Sequence, residues 1–230
     1  MRPLVLAFVI IGFSIAASST AQQLPGSVRP DHYDVAFVVD LQHERFEGSE
    51  TIRVHASEPV TRVVLNATDL RVRDATIGSG GGAQKADTAV DAGKQTVTLT
   101  VARVIPRGTA DIHVRFSGTL NDQLRGFYIS KANNRKYAVT QFESSDARRA
   151  FPCFDEPAFK ATFAVTVTLD QKDTAISNGR VLADTPGPGA GQHTAQDTDL
   201  TEGAFYMWRV SAVNAFFKSM TRYLLSPPDM

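Results

Sequence analysis

From Tyr33 onward, apolar and polar positions alternate with a period of two, again and again. Tyr33-Asp34-Val35-Ala36-Phe37-Val38-Val39 is rich in β-branched and aromatic residues, and Thr51-Ile52-Arg53-Val54-His55 sets its apolar side chains on one face. Successive side chains on an extended chain point to opposite faces, so each run predicts a half-buried strand. Further strands are predicted over Arg62 to Leu65, Leu70 to Ile77, Gln95 to Val101, Ala110 to Ser117, Lys136 to Phe142 and Ala161 to Leu169. In Thr96-Val97-Thr98-Leu99-Thr100-Val101 the alternation is strict, as in a sheet with one wet face. Turn-forming stretches separate the runs, among them Gly78-Ser79-Gly80-Gly81-Gly82 and Asp91-Ala92-Gly93-Lys94. The glycine run reads as a hairpin tip, because a phosphate loop needs a following helix and a lysine in register. Strands at short spacing without helices between them predict a mostly β domain of antiparallel sheets packed face to face.

Three stretches depart from this pattern. Leu4 to Ala17 is an apolar run after Arg2, and Ser19-Thr20-Ala21 supplies small residues before Gln22, the layout of a secretory signal peptide over residues 1–21. The run is shorter than the roughly 20 residues a membrane-spanning helix needs, which makes an uncleaved anchor the second reading. The expected location is therefore secreted or periplasmic, with no membrane span after cleavage. Asp184 to Thr201 is rich in Gly, Pro, Asp and Thr and reads as an exposed loop. Ala204 to Leu225 is more apolar; Phe216, Met220, Tyr223 and Leu224 fall at helix-like offsets, while its β-branched and aromatic content suits a strand equally. Residues 22–203 are thus expected to form the β domain and 204–230 an atypical tail.

Composition narrows the function classes. The chain has 230 residues, enough for one large or two small domains with a true core. Its 24 basic and 24 acidic residues balance, which argues against a nucleic-acid partner or an anionic membrane surface. The single cysteine, Cys153, excludes an internal disulfide and a cysteine-rich zinc site. Beside Pro152 and Phe154 it reads as a small buried hydrophobe; a reactive thiol would need a supporting base. The sequon Asn66-Ala67-Thr68 is a glycosylation candidate in a eukaryotic host.

The most informative stretch has neither strand nor helix periodicity throughout: Thr-Gln-Phe-Glu-Ser-Ser-Asp-Ala-Arg-Arg-Ala-Phe-Pro-Cys-Phe-Asp-Glu-Pro-Ala-Phe-Lys-Ala-Thr-Phe, from Thr140 to Phe163. It closely resembles the segment that precedes the catalytic domain in the M1 family of zinc aminopeptidases. Other patches fit the same family in the expected order. Leu24-Pro25, Val28, Pro30, Tyr33 and Asp40, then Phe46-Glu47-Gly48 and Ile52, look like its first strands. Leu120-Asn121-Asp122 and Arg125-Gly126-Phe127-Tyr128 resemble the approach to its substrate-contacting hairpin, and Ala175-Ile176-Ser177-Asn178-Gly179 its Ala-x-Ser-Asn strand end. Past Val181 the match fades to a faint echo at Met220-Thr221-Arg222-Tyr223-Leu224-Leu225, as expected of a truncated chain or one with an altered frame. The resemblance implies the saddle-shaped amino-terminal β domain of that family, with the catalytic domain as its missing partner.

An aminopeptidase must grip the free amine of a peptide N-terminus, and an ammonium offers only donors, so fixed oxygens must meet it. The resemblance carries this substrate-binding role onto Glu143 with Gln141 beside it. On a strand, with Phe142 between them, the two share a face; spacing alone favours a carboxylate and an amide on a wet strand face, and the resemblance reverses that preference. Asp146, Arg148, Arg149, Asp155 and Glu156 are expected to form an ion network that fixes the loop. A catalytic pair at Asp155-Glu156 is disfavoured because adjacent side chains on an extended chain point apart. Family members hold zinc through His-Glu-x-x-His and a later glutamate, the metal lowering the pKa of its bound water to about 7. Here only His43-Glu44-Arg45-Phe46-Glu47 comes near, with Glu47 in place of the second histidine and Gly48 following, and it reads as a turn between strands. His32, His55, His113 and His193 show no ligand spacing, and the family's Gly-x-Met-Glu-Asn motif is missing. Accordingly no catalytic residue, no metal ligand and no bound cofactor is expected in this chain, and by itself it should be inactive. The alternative is a non-catalytic β-sandwich binding or scaffold module of the same ancestry. An immunoglobulin-type adhesion domain lacks its paired cysteines and leaves Thr140 to Phe163 unexplained.

Overall fold

The structure is a computed structural model that describes residues 23–80, 82–177 and 180–200 and the backbone of 209–211. Its first strand shows how the alternating pattern becomes a layer. In β1 (Val28–Asp40), Tyr33, Val35, Phe37 and Val39 are buried while Asp34 and Val38 face outward. β2 (Arg45–Ala56) pairs antiparallel with it from Val28↔Ala56 to Asp40↔Arg45, interrupted by an irregularity at Pro30, whose nitrogen has no hydrogen to donate. The remaining strands are β3 (Val60–Asn66), β4 (Leu70–Ser79), β5 (Gly82–Asp91), β6 (Thr96–Ile105), β7 (Gly108–Thr119), β8 (Gly126–Ala132), β9 (Arg135–Gln141), β10 (Thr162–Asp170), β11 (Thr174–Ile176), β12 (Arg180–Pro186), β13 (Gln192–Leu200) and β14 (Arg209–Ser211).

The mostly β expectation holds, with two sheets: ten strands in the order β12-β13-β10-β1-β2-β7-β4-β5-β6-β3, and four in the order β11-β14-β9-β8. One pairing departs from the antiparallel expectation. β1 and β10 run parallel, from His32↔Thr162 to Val38↔Thr168, so the large sheet is mixed. A connection spanning most of the chain separates the two, and periodicity carries no information on strand direction.

β5 lets the large sheet curl. Its first residues pair with β4 (Thr76↔Lys85 to Ser79↔Gly82) and its later ones with β6 (Ala86↔Val101 to Asp91↔Thr96). The inward residues of β3 and β6 (Val63, Leu65, Val97, Leu99) thereby join those of β1, β2 and β7 in one core. The small sheet closes the same core with Phe127, Ile129 and Ala138; the Phe127 ring lies 5.3 Å from Phe37 and 4.9 Å from Phe46.

Two glycines are required by this packing. The register puts Phe46 opposite Gly118 and Gly48 opposite Phe116 on β2 and β7. A Cβ at Gly48 would sit 2.3 Å from the Phe116 ring, and one at Gly118 2.4 Å from the Phe46 ring. Both rings are locked in the core, so neither can yield without overpacking strain. Each phenylalanine covers the glycine across from it, and the strands approach closely as a result.

The stretch expected as a loop at Asp184 to Thr201 is instead mostly an edge hairpin, β12 and β13, registered from Thr185↔Thr194 to Arg180↔Thr198. β13 is mostly polar, and β12, at the sheet edge, leaves Val181 and Leu182 exposed, because backbone pairing needs no buried apolar stripe. The signal peptide expected at residues 1–21 lies outside the described residues. So does the tail at 204–230, except that the backbone of Arg209–Ser211 forms β14. Among the described residues no helix is long and apolar enough to cross a membrane.

Candidate functional site

The Thr140 to Phe163 segment escapes periodicity because its side chains alternate between core anchors and ion pairs. β9 delivers it, paired to β8 through a two-residue turn at Asn133-Asn134, whose φ angles of 50° and 58° suit asparagine. After Gln141 the strand ends; Phe142 packs edge-on against Phe151 at 5.9 Å, and Phe151 in turn touches Tyr33, Phe37 and Phe163. Tyr33 stacks on Phe163 at 4.7 Å, and its hydroxyl accepts the Phe154 N–H at 3.1 Å. Three phenylalanines thus moor the segment to the core.

Charged residues moor the rest, as the ion-network expectation required. Arg148 Nε donates to Asp155 Oδ2 at 2.7 Å, its second terminal nitrogen to the Asp155 carbonyl at 3.0 Å, and the other to Gln95 Oε1 at 3.3 Å. Burial holds the Asp155 carboxyl above the usual carboxylate range, outweighing the guanidinium beside it. Arg149 Nε donates to Asp146 Oδ1 at 2.8 Å and its Nη1 to Asp69 Oδ2. Gly126, at φ +66°, lies against Arg149, where a Cβ would come within 2.5 Å. Glu156 Oε1 accepts the Leu24 N–H, so the Asp155 and Glu156 carboxylates go to different partners rather than forming a pair. Asn66 and Cys153 exchange backbone hydrogen bonds, and Asn66 Oδ1 accepts the Asp155 N–H at 3.1 Å. Asn66 is only 3 % exposed, so this sequon does not present its side chain for glycosylation, a correction to the sequence expectation. The Cys153 thiol is buried, and burial pushes its pKa up, opposite to what a nucleophile needs.

Between these anchors stands the predicted rim. Gln141 is the last residue of β9, but Glu143 lies past the strand, in a turn closed by the Asp146 N–H on the Phe142 carbonyl at 2.9 Å. The Glu143–Ser144 peptide bond is cis. Gln141 and Glu143 are both exposed, on either side of half-buried Phe142. Among the described residues neither side chain makes a hydrogen bond or ion pair.

The His43-Glu44 stretch is a turn, with Glu44 at φ 54°. His43 Nδ1 contacts Asp40 Oδ2 at 2.7 Å, and Glu44 Oε1 is held by Lys131 at 2.8 Å and Lys136 at 2.9 Å. Two ammonium groups already occupy the carboxylate a metal would need. Among the described residues no three His, Cys, Asp or Glu side chains come together as metal ligands. These residues do not fit a zinc centre.

One buried group went unnoticed in the sequence. Glu50 on β2 is 3 % exposed, and among the described residues neither carboxylate oxygen has a hydrogen-bond partner. Burial alone drives its pKa well above the usual carboxylate range. A signal was present, since Glu50 has the same strand parity as Ile52 and Val54.

The fold is a mostly β domain in which Gln141 and Glu143 are exposed beside an ion-braced loop. Sequence comparison gives the family. The Peptidase M1 N-terminal domain profile matches residues 29–196, and the chain belongs to the M1 peptidase family as its N-terminal domain. It is 42% identical over 160 residues to Aminopeptidase M1-D of Oryza sativa subsp. japonica, covering 68% of this chain and 18% of that protein. It is 33% identical over 178 residues to Puromycin-sensitive aminopeptidase of Caenorhabditis elegans, covering 74% and 19%. Against Aminopeptidase N of Acetobacter pasteurianus it is 33% identical over 200 residues, covering 80% and 56%. The chain thus spans under a fifth of the plant and nematode relatives' length.

Proposed function

We propose that this domain supplies the amine-gripping rim of an exported zinc aminopeptidase, with Glu143 and Gln141 receiving the ammonium of a peptide N-terminus. The zinc centre belongs to sequence outside this chain. What carries the reading is an exposed Glu143 carboxylate without a partner among the described residues, on a loop whose other charges are nearly all paired. A carboxylate left open on a braced loop is prepared for a cationic ligand, since little ordering remains to be done on binding.

The purified chain supplied with zinc releases no N-terminal residues from aminoacyl anilides; metal-dependent release would overturn the assignment. In a longer product that carries a His-Glu-x-x-His helix, Glu143→Gln raises KM by about tenfold or more, the worth of one hydrogen bond between charged groups. An unchanged KM would remove Glu143 from the rim. Export through residues 1–21 belongs to the same reading, and the mature protein then begins at Gln22.

A further inference from the structure

His193 stands where only one protonation state satisfies its surroundings. It lies on β13, opposite Leu169 of β10 and Pro186 of β12. Its Nδ1 is 2.6 Å from the Asp184 carboxylate on β12, and its Nε2 is 3.0 Å from the Asp173 carbonyl in the turn between β10 and β11. Both partners are acceptors. A neutral imidazole has one N–H and one bare lone pair, so in that form one of the two contacts would set lone pair against lone pair. The imidazolium donates to both.

The charged groups around the ring agree. Asp184 faces it from β12, Asp173 from the β10–β11 turn and Asp170 from the end of β10. Lys172 in the same turn is the opposing cation, and it is itself 3.3 Å from Asp170. The Asp184 hydrogen bond first, then the Asp173 carbonyl and the two carboxylates of Asp184 and Asp173, hold the His193 pKa above its ordinary value against the opposing effect of burial.

We propose that His193 is a proton-operated clasp joining the β10–β11 turn to the β12–β13 hairpin, closed when the ring is charged and open at one end when it is neutral. A second tie is independent of pH: the Gln171 N–H donates to the Gly191 carbonyl at 2.7 Å. Loss of the proton therefore leaves the hairpin in place and frees the Asp173 end. Asp173 immediately precedes β11, which enters the four-stranded sheet, so the charge on His193 in the large sheet is felt where the small sheet begins. The sign follows from a raised histidine: the clasp's contribution is fully present below the unfolded-state value and is lost as pH rises through the folded-state value.

Nuclear magnetic resonance on the whole chain tests this. The His193 ring proton should titrate above a histidine in an unstructured peptide, and Asp184→Asn should bring it down toward that peptide. Across the same midpoint the Asp173 amide, which donates to the Asp170 carbonyl at 2.9 Å, should lose about tenfold in exchange protection after correction for the intrinsic rate, the worth of one charged hydrogen bond. The Gln171 amide should show no such step. A His193 midpoint at or below the peptide value overturns the proposal, as does flat protection at Asp173 through the titration. His193→Gln should abolish the step; if that variant does not fold, the Asp184→Asn titration decides alone.

Discussion

Arg148→Ala costs this domain about 3–5 kcal/mol, the range for breaking one partner out of a buried ion pair. The guanidinium is the hub of the loop that follows Glu143. It binds the Asp155 carboxylate and carbonyl and Gln95, and the Arg148 carbonyl accepts the Thr68 N–H at 2.9 Å. Both side chains are shielded, at 14% and 12% exposure, so removing the arginine leaves a carboxylate with neither counterion nor adequate water. Burial already outweighs the guanidinium in setting the Asp155 pKa, and without Arg148 the carboxyl moves further up and must take a proton to stay inside. The double variant Arg148→Met with Asp155→Leu loses less than Arg148→Ala alone, because no charge is stranded. Urea unfolding of Arg148→Met, Asp155→Leu and their double variant completes the cycle, with Arg148→Ala measured beside it. A cost for Arg148→Ala below about 1 kcal/mol would reduce the pair to the standing of a surface salt bridge.

Glu50→Met raises stability by about 1–3 kcal/mol near neutral pH and flattens the alkaline side of the stability profile, since a buried unpartnered polar group carries a penalty of that order. Glu50 projects into the core between Val35 and Val114 on the neighbouring strands, with both oxygens unpartnered. Its folded-state pKa is raised, whereas in the unfolded chain it is that of an ordinary glutamate at about 4.3. Below that lower value both states hold the proton, so ionisation adds no penalty to folding. As pH rises through the folded-state value, the unfolded chain gains by ionising and the folded one cannot follow, so stability falls. Urea unfolding at pH 5, 7 and 9 separates the outcomes. Wild type should weaken toward pH 9 more steeply than the methionine variant, which retains only the slope of other groups such as His193; equal slopes, or a variant weaker at every pH, would show that Glu50 has found partners.

Much of the strand plan was legible from alternation alone. Predicted strands at Leu70 to Ile77 and Ala110 to Ser117 lie inside β4 and β7, and the glycine run marks the β4–β5 turn as read. The pattern failed where strands lack an apolar face. β5 from Gly82 to Asp91 buries only Ala86 of its hydrophobic residues, and in the β12–β13 hairpin Val181 and Leu182 are adjacent and exposed rather than alternating along a buried face. Glu143 was assigned to a strand because Lys136 to Phe142 alternates up to it, yet the chain turns at Phe142, where the ring is drawn toward Phe151. Gln141 and Glu143 are nonetheless both exposed, on either side of half-buried Phe142.

By itself the sequence determined what is local or compositional. Period-two hydrophobicity set the strands, Asn133-Asn134 and the glycine run set turns, and the Thr140 to Phe163 block set the family. Only the tertiary structure decided the parallel pairing of β1 with β10, the mutual cover of Phe46 with Gly118 and Phe116 with Gly48, the pairing of Arg149 with Asp69, and the two acceptors around His193. Each of these joins residues remote along the chain or across a sheet. Such partners are chosen by the closing of a shared core and by the desolvation of charges within it, energies that no window of neighbouring residues contains.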